Sequence, residues 1–171
     1  MKNKLSIFAL SVLILALLVV NIQTASAHNW WYWCWHKGST LGVWIWGSHQ
    51  NEANVALNDW DSHTDVNFQR HSHHTNISVS GANWGRTGWW GLASIKDRSY
   101  DWWHHWRWCR IQHAHATYNS YYGGSSHQIH RVFCQEVGHV LGLGHSQHGC
   151  MGQGTGNHTV SHNWSDINAK F

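Results

Sequence analysis

A single α+β domain behind a cleavable leader is what this sequence predicts. Three observations predict it: an apolar N-terminal segment, five short runs of β-forming residues, and two stretches with helical apolar spacing in a chain of 171 residues, too short for two sizeable domains. Lys2 and Lys4 supply a positive start, Leu5 to Val20 is a nearly unbroken apolar run, and Ala25-Ser26-Ala27 offers small residues for cleavage. The run is shorter than the roughly 20 residues that a bilayer span requires. Residues 1–27 therefore read as a signal peptide and 28–171 as one domain, secreted to the extracellular space and free of the membrane after cleavage. No repeat or linker divides it.

Taken in order, Leu41 to Trp46 carries the β-formers Val43, Trp44 and Ile45 and stops at Gly47-Ser48, which predicts a first strand. Ala53, Ala56, Leu57 and Trp60 then recur three and four residues apart and predict a helix over Gln50 to Asp61. Val66 to Gln69, Ile77 to Ser80, Trp89 to Ile95 and Ile111 to Thr117 read as further strands, separated by Gly, Asn, Ser and His. Helical spacing returns at His127 to Leu143, with Ile129, Val132, Phe133, Val137, Val140 and Leu141 on one face. A short closing helix is expected over Ser165 to Lys170, with Ser165 as its N-cap.

Composition narrows the function classes. With 42% hydrophobic residues the chain can fill a core, and it carries no acidic or basic block, which excludes a disordered chain. The formal charge of +3 owes two units to the leader lysines, so the domain lacks the basic excess of a nucleic-acid binder. Fifteen tryptophans and eighteen histidines stand out instead. Asp101 to Trp108 and the group Trp30, Trp31, Trp33 and Trp35 read either as aromatic binding platforms or as core packing. His71, His73 and His74 with His113 and His115 read as solvated surface histidines, although alternation puts His113 and His115 on one side of a strand, a geometry that can hold metal. An exported chain with four cysteines favours two disulfides. Of three connectivities, Cys134 with Cys150 and Cys34 with Cys109 is favoured. The first pair flanks the motifs described next and closes a loop of about 16 residues, worth ~3 kcal/mol. Cys34 as a thiolate metal ligand is the rival.

Those motifs carry the chemistry. Gln135-Glu136-Val137-Gly138-His139-Val140-Leu141-Gly142-Leu143-Gly144-His145 is one residue away from H-E-x-x-H-x-x-G-x-x-H. Residues four apart project from one helical face, a glycine three further on permits chain reversal, and the last histidine returns to complete a zinc site. Glu136 stands where a carboxylate acts as general base on water. Gly149-Cys150-Met151-Gly152 follows at the place of a methionine turn.

With these residues the sequence resembles the metzincin metalloproteases, most closely the matrixin-like branch. Ala56 to Phe68 resembles that family's first helix running into its second strand, Gly91-Leu92-Ala93-Ser94 its substrate-facing edge strand, and Trp164 to Ile167 the start of its closing helix; Ser146 follows the third motif position as in matrixins. The resemblance implies a twisted, five-stranded, mostly parallel sheet with one antiparallel edge strand, two long helices and a short C-terminal helix. It further implies a zinc endopeptidase acting on protein or peptide substrates: zinc on His139, His145 and Gln135, Glu136 as catalytic base, and Met151 as the hydrophobic floor. Gln135 departs from the pattern, since zinc sites prefer imidazole or thiolate to an amide oxygen. A cysteine directly before Gln135-Glu136 and another directly before Met151 resemble a secreted bacterial metzincin-like group in which glutamine is usual there. His148 is a further, weaker candidate for the missing imidazole. The alternative to an enzyme is a silent metal- or surface-binding protein on the same fold.

Overall fold

The computed structural model describes residues 35, 38, 40–100, 109–152 and 156–171, with the backbone alone for 98–100, 109 and 110. The leader, Cys34 and its proposed bridge to Cys109, Trp30, Trp31, Trp33 and the Asp101 to Trp108 run lie outside the described residues.

The order is β1 (Thr40–Gly47), α1 (Gln50–His63), β2 (Asn67–His71), β3 (Ile77–Ala82), β4 (Gly91–Tyr100), β5 (Cys109–Asn119), α2 (Ser126–Val140) and α3 (Ser161–Asn168), with 3₁₀ turns at Ser120–Tyr122 and Gly149–Met151. The strands form one sheet in the order β2-β1-β3-β5-β4, in which β4 alone runs antiparallel to its neighbour. This is an α+β fold with a mixed five-stranded sheet and three helices, as the sequence predicted. The chain passes from β1 to its parallel neighbour β2 through α1, because parallel strands need long crossovers, and from β5 it runs on into α2 and α3.

Leu41, Val43, Ile77, Val79, Ala114, Ala116 and Tyr118 of the sheet are fully or nearly fully buried, together with Ala56, Leu57 and Trp60 of α1 and Phe133, Val137 and Val140 of α2. Each large side chain removed from water contributes roughly 1.5–3 kcal/mol. Two tryptophans also fix α2 by hydrogen bonds: Trp60 Nε1 donates to Cys134 O at 3.0 Å and Trp35 Nε1 to Val140 O at 2.9 Å. Trp35 is thus core, not platform. At the end of β1, Gly47 has φ 78° and lies so close to Gly81 of β3 that a Cβ on either would strike backbone oxygen.

Several boundaries move. β4 and β5 extend to Tyr100 and start at Cys109, because they pair as a long antiparallel ribbon. α2 ends at Val140, not Leu143, since Gly142 takes φ 110° and Leu143 N–H turns back to Gly138 O. The closing helix starts at Ser161, four residues before the expected start. Buried Asn163 accepts the Val160 N–H at 3.1 Å and sets the start there, leaving Ser165 inside the helix. At the other end of the core, Ser125 and Gln128 form the reciprocal cap that starts α2. No helix among the described residues is long and apolar enough to cross a membrane.

Candidate active site

The second half of α2 brings Gln135, Glu136 and His139 to its exit, and the reversal at Gly142 carries the chain back to His145. The His139 and His145 rings lie 4.7 Å apart, steeply inclined. His139 Nδ1 is 2.7 Å from Leu143 O. A carbonyl can only accept, so Nδ1 carries the hydrogen and Nε2 is the lone-pair nitrogen, the tautomer that ligates metal. Burial pushes the His139 imidazole down to about 4, against the Leu143 bond and with the help of nearby His145, which keeps it neutral at physiological pH.

Glu136 is buried where α2 faces the start of β4. Burial pushes its carboxyl up to about 8, opposed by the hydrogen bond from the Ala93 N–H. The approach is close because Gly91 has no side chain: a Cβ there would collide with Glu136 Oε1 and with Val132. Gly91, Trp90, Arg131, Gln135, Glu136 and His145 border one cavity of about 420 Å³. The loop that leads to Trp90 is held by Asn119, wholly buried, which accepts the Trp84 and Tyr121 N–H groups and donates to Gly85 O and Thr87 Oγ1.

Beneath the helix, Met151 is wholly buried against Gly138, whose missing side chain leaves room for its sulfur and for Trp60. The Gly149–Met151 turn is tied down three ways. Cys134 and Cys150 form a disulfide, the favoured member of the connectivities left open by the sequence, with Cα atoms 5.9 Å apart. Ser146 N–H donates to Met151 O at 3.0 Å, and Cys150 N–H to His158 O at 2.8 Å. His148 pairs its ring with His162, 5.0 Å away.

The structure thus gathers Gln135, Glu136 and His145 at one cavity, with His139 beside His145 and Met151 below. Two imidazoles and a carboxyl suit zinc by donor type, and the Gln135 amide oxygen is the poorest donor of the set. They do not form a close trio of histidine and carboxylate donors. Among the described residues, such trios occur at His74, His113 and His115 and at Asp59, His130 and His158.

The first trio corrects a sequence expectation. His113 and His115 project from β5 toward His74 in the turn after β2, with ring centroids 3.8 and 5.9 Å from His74 and 4.8 Å from each other. His113 is buried, not solvated, and its Nδ1 lies 3.7 Å from Asp97 Oδ2 of β4. Burial, with His113, Lys96 and His74 nearby adding to it, pushes His115 down to about 4. Imidazoles backed by a carboxylate are a metal-binding arrangement. The second trio has no sequence spacing that could have revealed it, because its members come from three distant segments.

No protein-family profile matches the chain, and no curated protein is similar to it. Among solved structures, one of myroilysin is similar at 16% identity and a TM-score of 0.42, covering 66% of this chain and 52% of that one. A crystal structure of myroilysin is similar at 17% identity and a TM-score of 0.40, covering 66% and 46%. This chain spans about half the length of the solved structures that it matches.

Proposed function

We propose that residues 28–171 form a secreted zinc-dependent endopeptidase domain, with His139, His145 and Gln135 as the metal's protein donors and Glu136 as general base. The observation that carries this reading is the Glu136 carboxyl, buried at the cavity it shares with Gln135 and His145 and held by the edge strand. A buried carboxyl with no salt bridge among the described residues is costly unless it has work to do.

Zinc at these donors supplies Lewis acidity, acidifying water and polarising a scissile carbonyl. The chain's own residues do the rest. Glu136, ionised where a cation held by these donors would offset the burial that raises its carboxyl, takes the proton of the attacking water and passes it to the leaving nitrogen. The Ala93 N–H and Gly91 fix the direction in which its carboxyl faces. The Leu143 carbonyl holds the His139 ring in its ligating tautomer. Gly138, by admitting Met151, seats the ligand-bearing turn of α2 on an apolar floor. β4 is the edge of the sheet and borders the cavity, so an extended peptide can lie along its unpaired backbone groups.

The test is hydrolysis of an unspecific protein substrate such as casein by purified 28–171, with zinc counted by elemental analysis. Activity that needs zinc and disappears in Glu136→Gln, with zinc retained, supports the proposal. A folded, zinc-loaded protein with no hydrolysis, or with unchanged turnover in Glu136→Gln, replaces it by the metal-binding reading, which the His74, His113 and His115 trio favours.

A further inference from the structure

Around α2 from His139, nine residues back and thus about 180° away at roughly 100° per residue, stands His130. It is only 5% exposed, and its Nε2 has no hydrogen-bond partner. A buried polar atom left in that state has given up its hydrogen bond to water without a replacement. Its surroundings show what would satisfy it. The His158 ring lies 4.8 Å from the His130 ring, and Asp59 of α1 faces both. One donor atom from each of the three residues lies within 4.8 Å of the other two.

Asp59 is held in place. Its Oδ2 accepts the Thr159 N–H at 2.7 Å and lies 3.5 Å from His158 Nδ1, while its Oδ1 lies 3.4 Å from His63 Nδ1. Beside the trio opens a cavity of about 410 Å³, bordered by His130, His158, His127 and Glu52. Two imidazoles and a carboxylate make a donor set of net charge −1, with a second carboxylate at the rim. That charge and the unpartnered buried nitrogen favour a divalent cation over a water molecule, and the nitrogen donors favour a transition ion over calcium or magnesium.

We infer that Asp59, His130 and His158 form a second metal site, distinct from the cleft, that takes a divalent transition cation of the zinc type. Tetrahedral zinc with donors at 2.0–2.1 Å spaces them about 3.3 Å apart. Rotation of His158, whose side chain is 63% exposed, supplies the closure. Water entering from the cavity completes the coordination. The site joins three segments, α1, α2 and the stretch leading into α3. Because the His158 carbonyl accepts the Cys150 N–H, a cation there also braces the turn that holds Met151. Its role is therefore structural support of the cleft from behind.

The experiment counts zinc in the full chain. Protein stripped with chelator, reloaded with Zn²⁺ and desalted is compared as wild type, His158→Ala and Asp59→Asn, with folding checked by circular dichroism. His158 is exposed, and the amide introduced by Asp59→Asn keeps an oxygen for the Thr159 N–H, so both variants are expected to fold. The expected result is one equivalent of zinc fewer in each variant and a smaller zinc-dependent rise in Tm. Equal zinc in wild type and His158→Ala, or no retained zinc in the wild type, overturns the inference. Hydrolysis is not read, so failure of the endopeptidase proposal leaves this result standing.

Discussion

The two faces of α2 carry polar groups under different conditions. Toward the cleft, the fold has already supplied partners: Ala93 N–H for Glu136 and the Leu143 carbonyl for His139. Glycines at 91 and 138 let β4 and Met151 close in until those groups have one orientation each. On the opposite face, His130 is as deeply buried but its Nε2 is left without a partner, and the flanking Asp59 and His158 come from other segments. The difference teaches that the proposed cleft groups each have one atom held by a backbone partner that fixes their direction, whereas the proposed rear site is assembled from side chains of separate segments around a buried nitrogen.

The largest expected effect breaks the cleft without touching the rear face. Glu136→Gln lowers peptide hydrolysis by about 10²–10⁴-fold, the usual worth of a general base, and leaves both zinc content and Tm near wild type; a loss of tenfold or less counts against the assigned role. Next comes the bridge behind the helix. Cys134→Ser with Cys150→Ser lowers stability by about 3 kcal/mol, measured by urea unfolding, and zinc dissociates at lower denaturant than the sheet melts.

Gly91→Ala is smaller in energy but sharper in logic. The new methyl displaces Glu136 and Val132 at a cost of roughly 1–3 kcal/mol, so kcat falls while zinc stays bound; equal kcat at reduced stability would show that the edge strand does not orient the carboxyl. The smallest effect is a gain. Gln135→His adds an imidazole four residues before His139 and tightens zinc at the cleft about tenfold, or about 1.4 kcal/mol, as measured by competition with a chromophoric chelator. The equivalent that depends on His158 is unchanged in this variant, which keeps the two faces separate.

Local order was legible in the sequence wherever it rests on short-range geometry. The apolar spacing through Ala53, Ala56, Leu57 and Trp60 announced α1, and the run from Ile129 to Val140 announced α2, because 3.6 residues per turn ties spacing to a face. Gln135, Glu136 and His139 were readable as one helical patch for the same reason, and Gly142 as the reversal that returns His145. Cys134 and Cys150 were paired from their positions beside the two motifs. Helix ends were less legible: Ser165 is a good cap in isolation, yet buried Asn163 moved the start of α3 to Ser161.

What the sequence by itself determined, then, is the set of elements and the groups that one helical turn or one chain reversal brings together. Only the tertiary structure decided the groups that meet across elements: Gly91 against Glu136, Met151 under Gly138, His74 against β5, and Asp59 and His158 around His130. The reason is physical. Spacing along a chain fixes neighbours over a few residues, while contacts between distant segments are set by how sheet and helices pack around a shared core, which depends on all of the buried side chains at once.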